Sequence, residues 1–372
     1  MKTVGILTMH KVLNYGSALQ AWATQEVIRK LGYDAYLIDY IYPNDYHKSF
    51  HKREVIKDVM RYCLHLYLGF PLKKKKKAFE IFWDKHFRLS PCYRSRNEIK
   101  CKPPQYDIYV AGSDQTWNPS HIHEDSTFFL DFVPQGKKKV SYASSFAQSE
   151  INGTFESLAK KYLSDFVSIS VREKNGANIV KQLLNRHAEI CLDPTLLLAK
   201  EDYQVLAKES KLNIPQPYML VYILQYAYNP YPYATQFIQE AYRQTKLQVV
   251  CLDFSAKQHL NIPNVIYLHN AVGPNEFVSL FMNASLVITT SFHGTAFALN
   301  FGVSVYSIVN NKSTSDDRMR SLLSLCGMAE RAVVMGNKHI TINLDAITQI
   351  QNNIKMMREK SIYFLEKELD NI

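Results

Sequence analysis

Short apolar runs alternate with amphipathic stretches along most of the chain. Residues 3–8 have the pattern of a buried strand, residues 18–31 have helical spacing that stops at Gly32, and residues 35–40 are again strand-like. This β-α-β opening is the unit of a parallel sheet. Further strands are predicted at residues 106–110, 139–142, 168–171, 189–192, 219–224, 248–253, 265–268, 286–289 and 304–309, with helices between them. The pattern therefore predicts an α/β fold.

The best domain boundary is a polar stretch, residues 198–217, that ends in Pro-Gln-Pro. We expect two Rossmann-like, doubly wound lobes that face a cleft, the first over residues 1–200 and the second over residues 215–352. A basic helical insert at about 47–100 would interrupt the first lobe, and residues 353–372 would form a closing helix. Because ligands bind beyond the carboxyl ends of parallel strands, the polar turns there should contain the binding and catalytic residues.

The excess of positive charge is confined to that insert. The chain of 372 residues has a formal net charge of +10, and residues 47–100 contain ten Lys and five Arg against five acids, so the remainder is neutral. This argues against a general polyanion binder and predicts one local basic surface. Apolar spacing from Val55 to Tyr67 predicts an amphipathic helix, and Lys73–Lys77 precede a second helix. The segment could dock on an anionic membrane face, or it could be a solvated charge run.

Several classes of protein are disfavoured. The six cysteines show no CxxC spacing, which argues against a disulfide framework or a zinc knuckle. There is no GxGxxG, Walker A or HExxH motif, which argues against nicotinamide redox chemistry, P-loop phosphoryl transfer and zinc proteolysis. No signal peptide and no apolar run of about 18 residues is evident, so we expect a cytoplasmic protein, with peripheral attachment to the inner membrane face through the basic insert as an option.

Polar turns follow the first strand and the strand at residues 106–110. In residues 14–17 (Asn-Tyr-Gly-Ser), Gly16 lets the backbone approach a ligand and the helix N-terminus offers N–H groups, although Ser17 could simply cap the helix. In residues 112–115 (Gly-Ser-Asp-Gln), Asp114 could orient or deprotonate a hydroxyl, or merely form an Asx turn. Trp117 suits sugar stacking and core packing equally.

Two later turns carry cationic groups. Arg172 follows the strand at residues 168–171, where a guanidinium suits phosphate or carboxylate recognition, or a local pair with Glu173. Residues 289–295 (TTSFHGT) run from an apolar strand into a small-residue helix, which places His293 at a helix N-terminus. Such a site can bind phosphate and move protons near pH 7. This placement favours a functional His293 over a structural one.

These turns, in this order, resemble those of the polysaccharide pyruvyl transferase family. The matching strings are NYGSALQ (14–20), AGSDQTWNP (111–119), SYASSFA (141–147), SVREKNG (170–176), LDPTLLL (192–198) and TTSFHGTAFALNFGVSVYSI (289–308). The resemblance implies two GT-B-like lobes and transfer of a pyruvyl group from phosphoenolpyruvate onto a sugar as a cyclic ketal. Acceptors in the family are hexose or hexosamine units of surface polysaccharides such as capsules, often on lipid-linked precursors.

The chain departs from the family pattern at two positions. Many members have Asp where this chain has Ser17, and many have Arg where it has Ser291. If that Arg contacts the donor phosphate, another cation must do so here. Arg172 is the first candidate for this phosphate contact. The alternative candidates, beyond the strand at residues 304–309, are Lys312, Arg318 and Arg320.

The resemblance and the chemistry of the donor assign expected roles. His293 would hold the phosphate and assist its departure, Arg172 would bind phosphate or carboxylate, and Asp114 would act as base toward the acceptor hydroxyl. No residue is assigned as the donor of the proton to the methylene carbon, although His293 could serve. The other expected substrate-binding residues are Asn14, Tyr15, Gly16, Ser17, Gln20, Ser113, Gln115, Ser144, Ser145, Ser291, Phe292, Gly294, Thr295, Lys312 and Arg318. No metal, and no cofactor beyond the donor, is expected.

Two other functions stay open. A nucleotide-sugar-dependent glycosyltransferase with the same two lobes would bind a uridine or guanosine diphosphate sugar and not phosphoenolpyruvate. A basic nucleic-acid-binding protein without enzymatic activity is disfavoured, because the charge excess is confined to residues 47–100 and no nucleic-acid-binding module is recognisable.

Overall fold

The structure is a computed structural model that describes residues 1–42, 74–225, 228–254, 258–268, 272–310, 317–337, 341–344 and 348–370. The chain divides into two compact units. Within the described ranges, the first unit comprises residues 1–42, 82–197 and 357–370, and the second comprises residues 74–81 and 198–356. The chain thus passes into the second unit after Leu197, and its last helix contributes residues to the first unit.

A parallel sheet lies at the centre of the first unit. Its strands are β1 (Thr3–Leu7), β2 (Asp34–Leu37), β3 (Ile108–Ala111) and β4 (Lys138–Ser141), in the order β2-β1-β3-β4. Strands β5 (Ser170–Val171) and β6 (Glu189–Ile190) pair in parallel, and single bridges from Val140 to Ser168 and from Ser144 to Val171 place β5 beside β4. The strand order therefore reverses between β1 and β3.

Helices follow these strands as the alternating pattern predicts. They are Tyr15–Lys30, Arg96–Cys101, Pro119–Ile122, Gly153–Leu163 and Lys174–Leu184. The first begins at Asn14, whose side chain accepts a hydrogen bond from the Ser17 N–H at 3.2 Å, and the chain leaves it through Gly32. The apolar faces close over the sheet in an aromatic core, in which the fully buried Trp117 stacks on Phe129.

The second unit is built on a six-stranded parallel sheet. Its strands are β7 (Tyr218–Tyr222), β8 (Gln248–Leu252), β9 (Ile266–Leu268), β10 (Leu286–Thr289), β11 (Ser304–Val309) and β12 (Ala332–Val334), in the order β12-β11-β10-β7-β8-β9. Its helices include Lys200–Ala207, Tyr233–Thr245, Pro274–Asn283, Phe292–Phe301 and Asp317–Leu325. The helix Thr348–Asp370 has residues in both units. Here the strand order reverses between β7 and β10.

The stretch that the sequence suggested as a polar boundary is partly structured. Residues Lys200–Ala207 form a helix of the second unit that packs against the helix Pro274–Asn283. Tyr203 and Leu206, one turn apart, are fully buried, and the Tyr203 ring meets Phe297 edge-on at 5.3 Å. Two apolar residues therefore bury a helix that otherwise looks polar.

In the described part of the basic insert, residues 74–100, the helix Arg96–Cys101 begins near the end and one helix spans residues 74–86. Lys74–Lys77 lie inside this helix rather than before it, which is a correction to the predicted start; lysine has a high helix propensity. Lys75 is buried and donates to Asp253 Oδ2 at 2.5 Å. The amphipathic helix predicted from Val55 to Tyr67, and Lys73, lie outside the described residues.

No helix among the described residues is long and apolar enough to cross a membrane. Two of the cysteines, Cys92 and Cys101, are exposed free thiols, while Cys191, Cys251 and Cys326 are free and buried. Cys63 lies outside the described residues.

Candidate functional site

The reversal of strand order between β1 and β3 places two polar turns side by side in the first unit. In parallel α/β sheets such a point is where ligands bind. The turn after β1 leads into the helix Tyr15–Lys30, and the turn after β3 contains Asp114. The Ser17 hydroxyl donates to Asp114 Oδ2 at 2.5 Å. Because Asn14 caps the helix, Ser17 is left to hold the carboxylate, and its alternative reading as a simple cap does not apply.

Glycine is required two positions before this carboxylate. Gly112 has φ +107°, and a Cβ there would lie 2.4 Å from the backbone carbonyl oxygen of Tyr142. Any other residue would strain the turn and push β3 away from β4. Asp114 itself has φ 69°, a conformation that aspartate tolerates better than most residues. The tight turn therefore aims the Asp114 side chain at the carboxyl edge of the sheet.

Arg172, at the end of β5, lies among carboxylates. Its Nη1 donates to Asp193 Oδ2 at 2.7 Å and its Nη2 donates to Asp114 Oδ1 at 3.0 Å, while Glu173 Oε2 lies 3.9 Å from its Nε. Burial disfavours the charged guanidinium, but the three carboxylates outweigh burial and raise the pKa of Arg172 above its usual range. The neighbouring Glu173 is the most distant of the three, so a local Arg–Glu pair does not describe this side chain.

The surrounding carboxylates have further donors. Asp193 Oδ1 accepts from the N–H of Thr195 at 3.1 Å and from its hydroxyl at 2.8 Å, and Glu173 Oε1 accepts from the Phe146 N–H at 3.2 Å. One buried guanidinium thus faces three carboxylates. Burying charge in this way is a poor route to stability, and such clusters are typical of functional sites.

A second cluster lies farther along the same edge of the sheet, after β1 and β2. His10 is buried, with Nδ1 3.1 Å from the Thr8 carbonyl oxygen and Nε2 3.2 Å from Asp39 Oδ1, and Lys11 donates to Asp39 Oδ2 at 2.6 Å. Burial favours the neutral carboxyl group, but the hydrogen bonds and charges of His10 and Lys11 lower the pKa of Asp39 to about 2. Asp39 is therefore a carboxylate at neutral pH.

The other residues predicted in the first unit are mostly buried and bonded within it. The Gln20 amide donates to the Thr8 hydroxyl at 2.8 Å, and Ser113 Oγ lies 2.7 Å from the Ala143 carbonyl oxygen. Tyr15, Gly16, Ser144 and Ser145 are buried, Gln115 is half-buried, and Asn14 is exposed. Trp117 lies in the core, as its structural interpretation predicted. Contact of the polar groups with a substrate stays a prediction.

In the second unit, His293 lies at the point where the strand order reverses. The Ser291 hydroxyl accepts from the Gly294 N–H at 3.2 Å and caps the helix Phe292–Phe301, which places His293 in its first turn. Gly294 lets the start of this helix approach the end of β10 closely, because a Cβ there would lie 2.6 Å from Thr289 Oγ1. The Thr295 hydroxyl lies 2.7 Å from Ser307 Oγ and ties the helix to β11.

A guanidinium packs beside this turn. Arg318 is buried, and its guanidinium carbon lies 5.7 Å from the centre of the Phe292 ring. Arg320 is half-buried, and Lys312 lies outside the described residues. An imidazole, a helix N-terminus and a guanidinium thus meet at one turn, a combination that suits a phosphate group.

The sequence reasoning did not select Asp193 or the His10–Asp39 pair. Asp193 directly follows a predicted strand, as Asp114 does, so the same signal could have found it. Within the described ranges, no three His, Cys, Asp or Glu side chains are arranged to hold a metal ion.

The two Rossmann-like α/β units define a protein of the GT-B fold class, as the sequence predicted. The structure is similar to UDP-GlcNAc 2-epimerase from Methanocaldococcus jannaschii, with 11% identity, coverage of 96% of this chain and 92% of that chain, and a TM-score of 0.53. It is similar to MnaA of S. aureus solved with UDP, with 8% identity, coverage of 99% and 91%, and a TM-score of 0.50. It is also similar to UGT89C1 of Arabidopsis thaliana, with 10% identity, coverage of 99% and 98%, and a TM-score of 0.50. At these identities the likeness shows the fold alone.

The family is shown by the sequence. The family model of polysaccharide pyruvyl transferase matches residues 14–312, which is most of the chain. The protein belongs to the polysaccharide pyruvyl transferase family, and the resemblance seen in its turns is confirmed. No curated protein sequence matches the chain significantly. The matched region contains both the Asp114–Arg172 cluster and the His293 turn.

Proposed function

We propose that the protein transfers a pyruvyl group from phosphoenolpyruvate to a hexose or hexosamine of a surface-polysaccharide precursor and forms a cyclic ketal. The observation that carries this proposal is family membership across residues 14–312. The chemistry of the two turns supports it, because one presents a hydrogen-bonded carboxylate and the other presents groups that suit phosphate. The structural neighbours share the fold only, so they do not favour the glycosyltransferase alternative.

The reaction balances without a cofactor. The methylene carbon of the donor gains a proton, which makes its neighbouring carbon electrophilic, and one acceptor hydroxyl oxygen bonds to that carbon. The bond from this carbon to the phosphate oxygen breaks, and a second hydroxyl closes the ring. Of the two hydroxyl protons, one is accounted for by the new methyl group and the other leaves with phosphate. The site must therefore supply an acid, a base and a clamp for an anion.

The proposed roles follow from what each side chain contacts. Asp114, held by Ser17 and Arg172, acts as base toward the acceptor hydroxyl. His293 binds the donor phosphate and gives it a proton as it leaves, and the nearby Arg318 supplies positive charge. Arg172 is already bonded to Asp114 and Asp193, so we assign it to orienting the base in preference to binding the donor.

The test is phosphate release from phosphoenolpyruvate with a panel of hexose and hexosamine acceptors, and with UDP- and GDP-sugars as competing donors. The wild type is expected to release phosphate only when a suitable acceptor is present. His293→Ala should reduce turnover on the order of 10²-fold or more. His187→Ala is the matched control, because the His187 side chain is exposed. Near-normal release by His293→Ala would refute the role of His293, and transfer from a nucleotide sugar alone would refute the proposed reaction.

The acceptor is proposed to be lipid-linked, with the basic insert docking the enzyme on an anionic membrane face. Exposed lysines near such a surface contribute about 1 kcal/mol each. Lys74 and Lys77 are exposed, whereas Lys75 is bound to Asp253. Replacing Lys73, Lys74, Lys76 and Lys77 with glutamine while keeping Lys75 should abolish co-sedimentation with phosphatidylglycerol liposomes. Unchanged co-sedimentation would rule out docking through these lysines.

A further inference from the structure

We propose that Asp193 is a positioning residue that sets the orientation and the charge state of Asp114 through Arg172. The inference rests on the proposed role of Asp114 as the base. Asp193 lies in the loop after β6, 79 positions beyond Asp114 in the numbering. Its side chain has 0% exposure, so it acts on its neighbours and not on a substrate.

The two oxygens of Asp193 have separate tasks. Oδ1 accepts two hydrogen bonds from Thr195, one from the backbone N–H at 3.1 Å and one from the hydroxyl at 2.8 Å. These bonds fix the carboxylate against the short helix Pro194–Leu196. Oδ2 is thereby aimed at Arg172 Nη1, which donates to it at 2.7 Å.

Arg172 transmits this position to Asp114. A guanidinium is planar and its donors diverge in a fixed fork, so holding Nη1 also sets the direction of Nη2. Nη2 donates to Asp114 Oδ1 at 3.0 Å, and Ser17 donates to the other oxygen at 2.5 Å. The base is thus held at both oxygens, and the hydrogen bond from Arg172 depends on Asp193.

Asp193 also competes with Asp114 for one positive charge. Asp114, Asp193 and the more distant Glu173 all lie around the Arg172 guanidinium. Removing the charge of Asp193 leaves Arg172 more strongly attracted to Asp114, which favours the ionised form of Asp114. The base would then ionise at lower pH and be a weaker proton acceptor. A purely structural Asp193 would not produce this change.

The experiment is the pH dependence of phosphate release from phosphoenolpyruvate in three variants. Asp193→Asn should move the acid limb of the profile to lower pH and reduce kcat on the order of tenfold, with KM for phosphoenolpyruvate nearly unchanged. Glu173→Gln should move the limb less, in the same direction. Thr195→Val removes a hydrogen bond to Asp193 but no charge, so it should leave the limb in place.

A second readout does not require turnover. In protein labelled with ¹³C at the aspartate carboxyl carbons, the Asp114 signal, assigned with Asp114→Asn, should titrate at lower pH in Asp193→Asn than in the wild type. Equal titration, or a shift to higher pH, would overturn the inference. If Asp193→Asn does not fold, the same signal in Asp193→Ser decides, and an unmoved signal is again contrary. Failure of the wild type to release phosphate would instead refute the proposed function, and the titration would still decide the role of Asp193.

Discussion

Replacing Arg172 with methionine should destabilise the protein strongly, and the loss should depend on pH. The Arg172 side chain is 1% exposed and donates to Asp193 at 2.7 Å and to Asp114 at 3.0 Å. Removing one partner of a buried ion pair costs about 3–5 kcal/mol, because the remaining charge stays buried without compensation. Here at least two carboxylates lose their shared cation, so we expect the upper part of that range at pH 8.

The pH dependence follows from the sign of the remaining charges. Without Arg172, the folded state holds carboxylates in an environment that disfavours their ionised form, so it binds protons more readily than the unfolded chain does. The penalty is therefore present at high pH and shrinks as pH falls and these groups become protonated. At pH 5 we expect a loss of about 2 kcal/mol or less from the missing hydrogen bonds alone.

The assay is urea unfolding followed by circular dichroism at pH 8, 6.5 and 5. Arg88→Met is the matched control, because Arg88 also donates to an aspartate, Asp34, at 2.6 Å, but the two side chains are 39% and 29% exposed. Such a surface pair contributes about 0–1 kcal/mol. A loss for Arg172→Met no larger than that for Arg88→Met, or a large loss that does not change with pH, would refute the reasoning.

Three further predictions concern the turn before Asp114, the cluster around Asp39, and the thiols. Gly112→Ala should lower the free energy of unfolding by about 2 kcal/mol or more and impair phosphate release, because the new Cβ would lie 2.4 Å from a backbone oxygen; thermal unfolding checks this. The stability that Asp39 gains from its pKa of about 2 is complete above about pH 4 and is lost as pH falls through 2. Lys11→Met should therefore lower stability more at pH 6 than at pH 2 in acid titrations. Native-state alkylation followed by peptide mapping should modify Cys92 and Cys101 before Cys191 and Cys326, since burial raises the pKa of the latter two thiols to about 12.

The local sequence pattern predicted strands and helices better than it predicted the contacts at their ends. The strands at 286–289 and 304–309 agree with the structure at both ends, because buried apolar runs there stop at polar turns. The first helix begins at Tyr15 rather than at residue 18, since Asn14 and not Ser17 is its cap. Capping depends on one side-chain contact, which apolar spacing does not reveal.

The contacts within the candidate site depended on strand order, which the sequence does not display. Asp114, Arg172 and Asp193 each appear in the sequence as a polar residue after a strand. They meet because β5 lies beside β4 and β6 beside β5. The same arrangement turns Arg172 from a predicted anion contact into a side chain bonded to two carboxylates. The position of functional groups at strand ends was therefore predictable from the sequence, but the contacts that give each group its own role needed tertiary structure.

The charge excess of residues 47–100 is partly offset within the described part of that segment, residues 74–100. Cations of this segment pair with aspartates from elsewhere in the chain: Lys75 with Asp253, Arg88 with Asp34, and Arg96 and Lys100 with Asp131. These aspartates belong to the neutral remainder of the sequence. Each ion pair therefore offsets the positive charge of a cation of the insert. An anionic partner would meet less charge at the insert than the sequence indicates. Docking on a membrane would therefore depend on cations that these pairs do not offset, such as the exposed Lys74 and Lys77, and on cations outside the described residues.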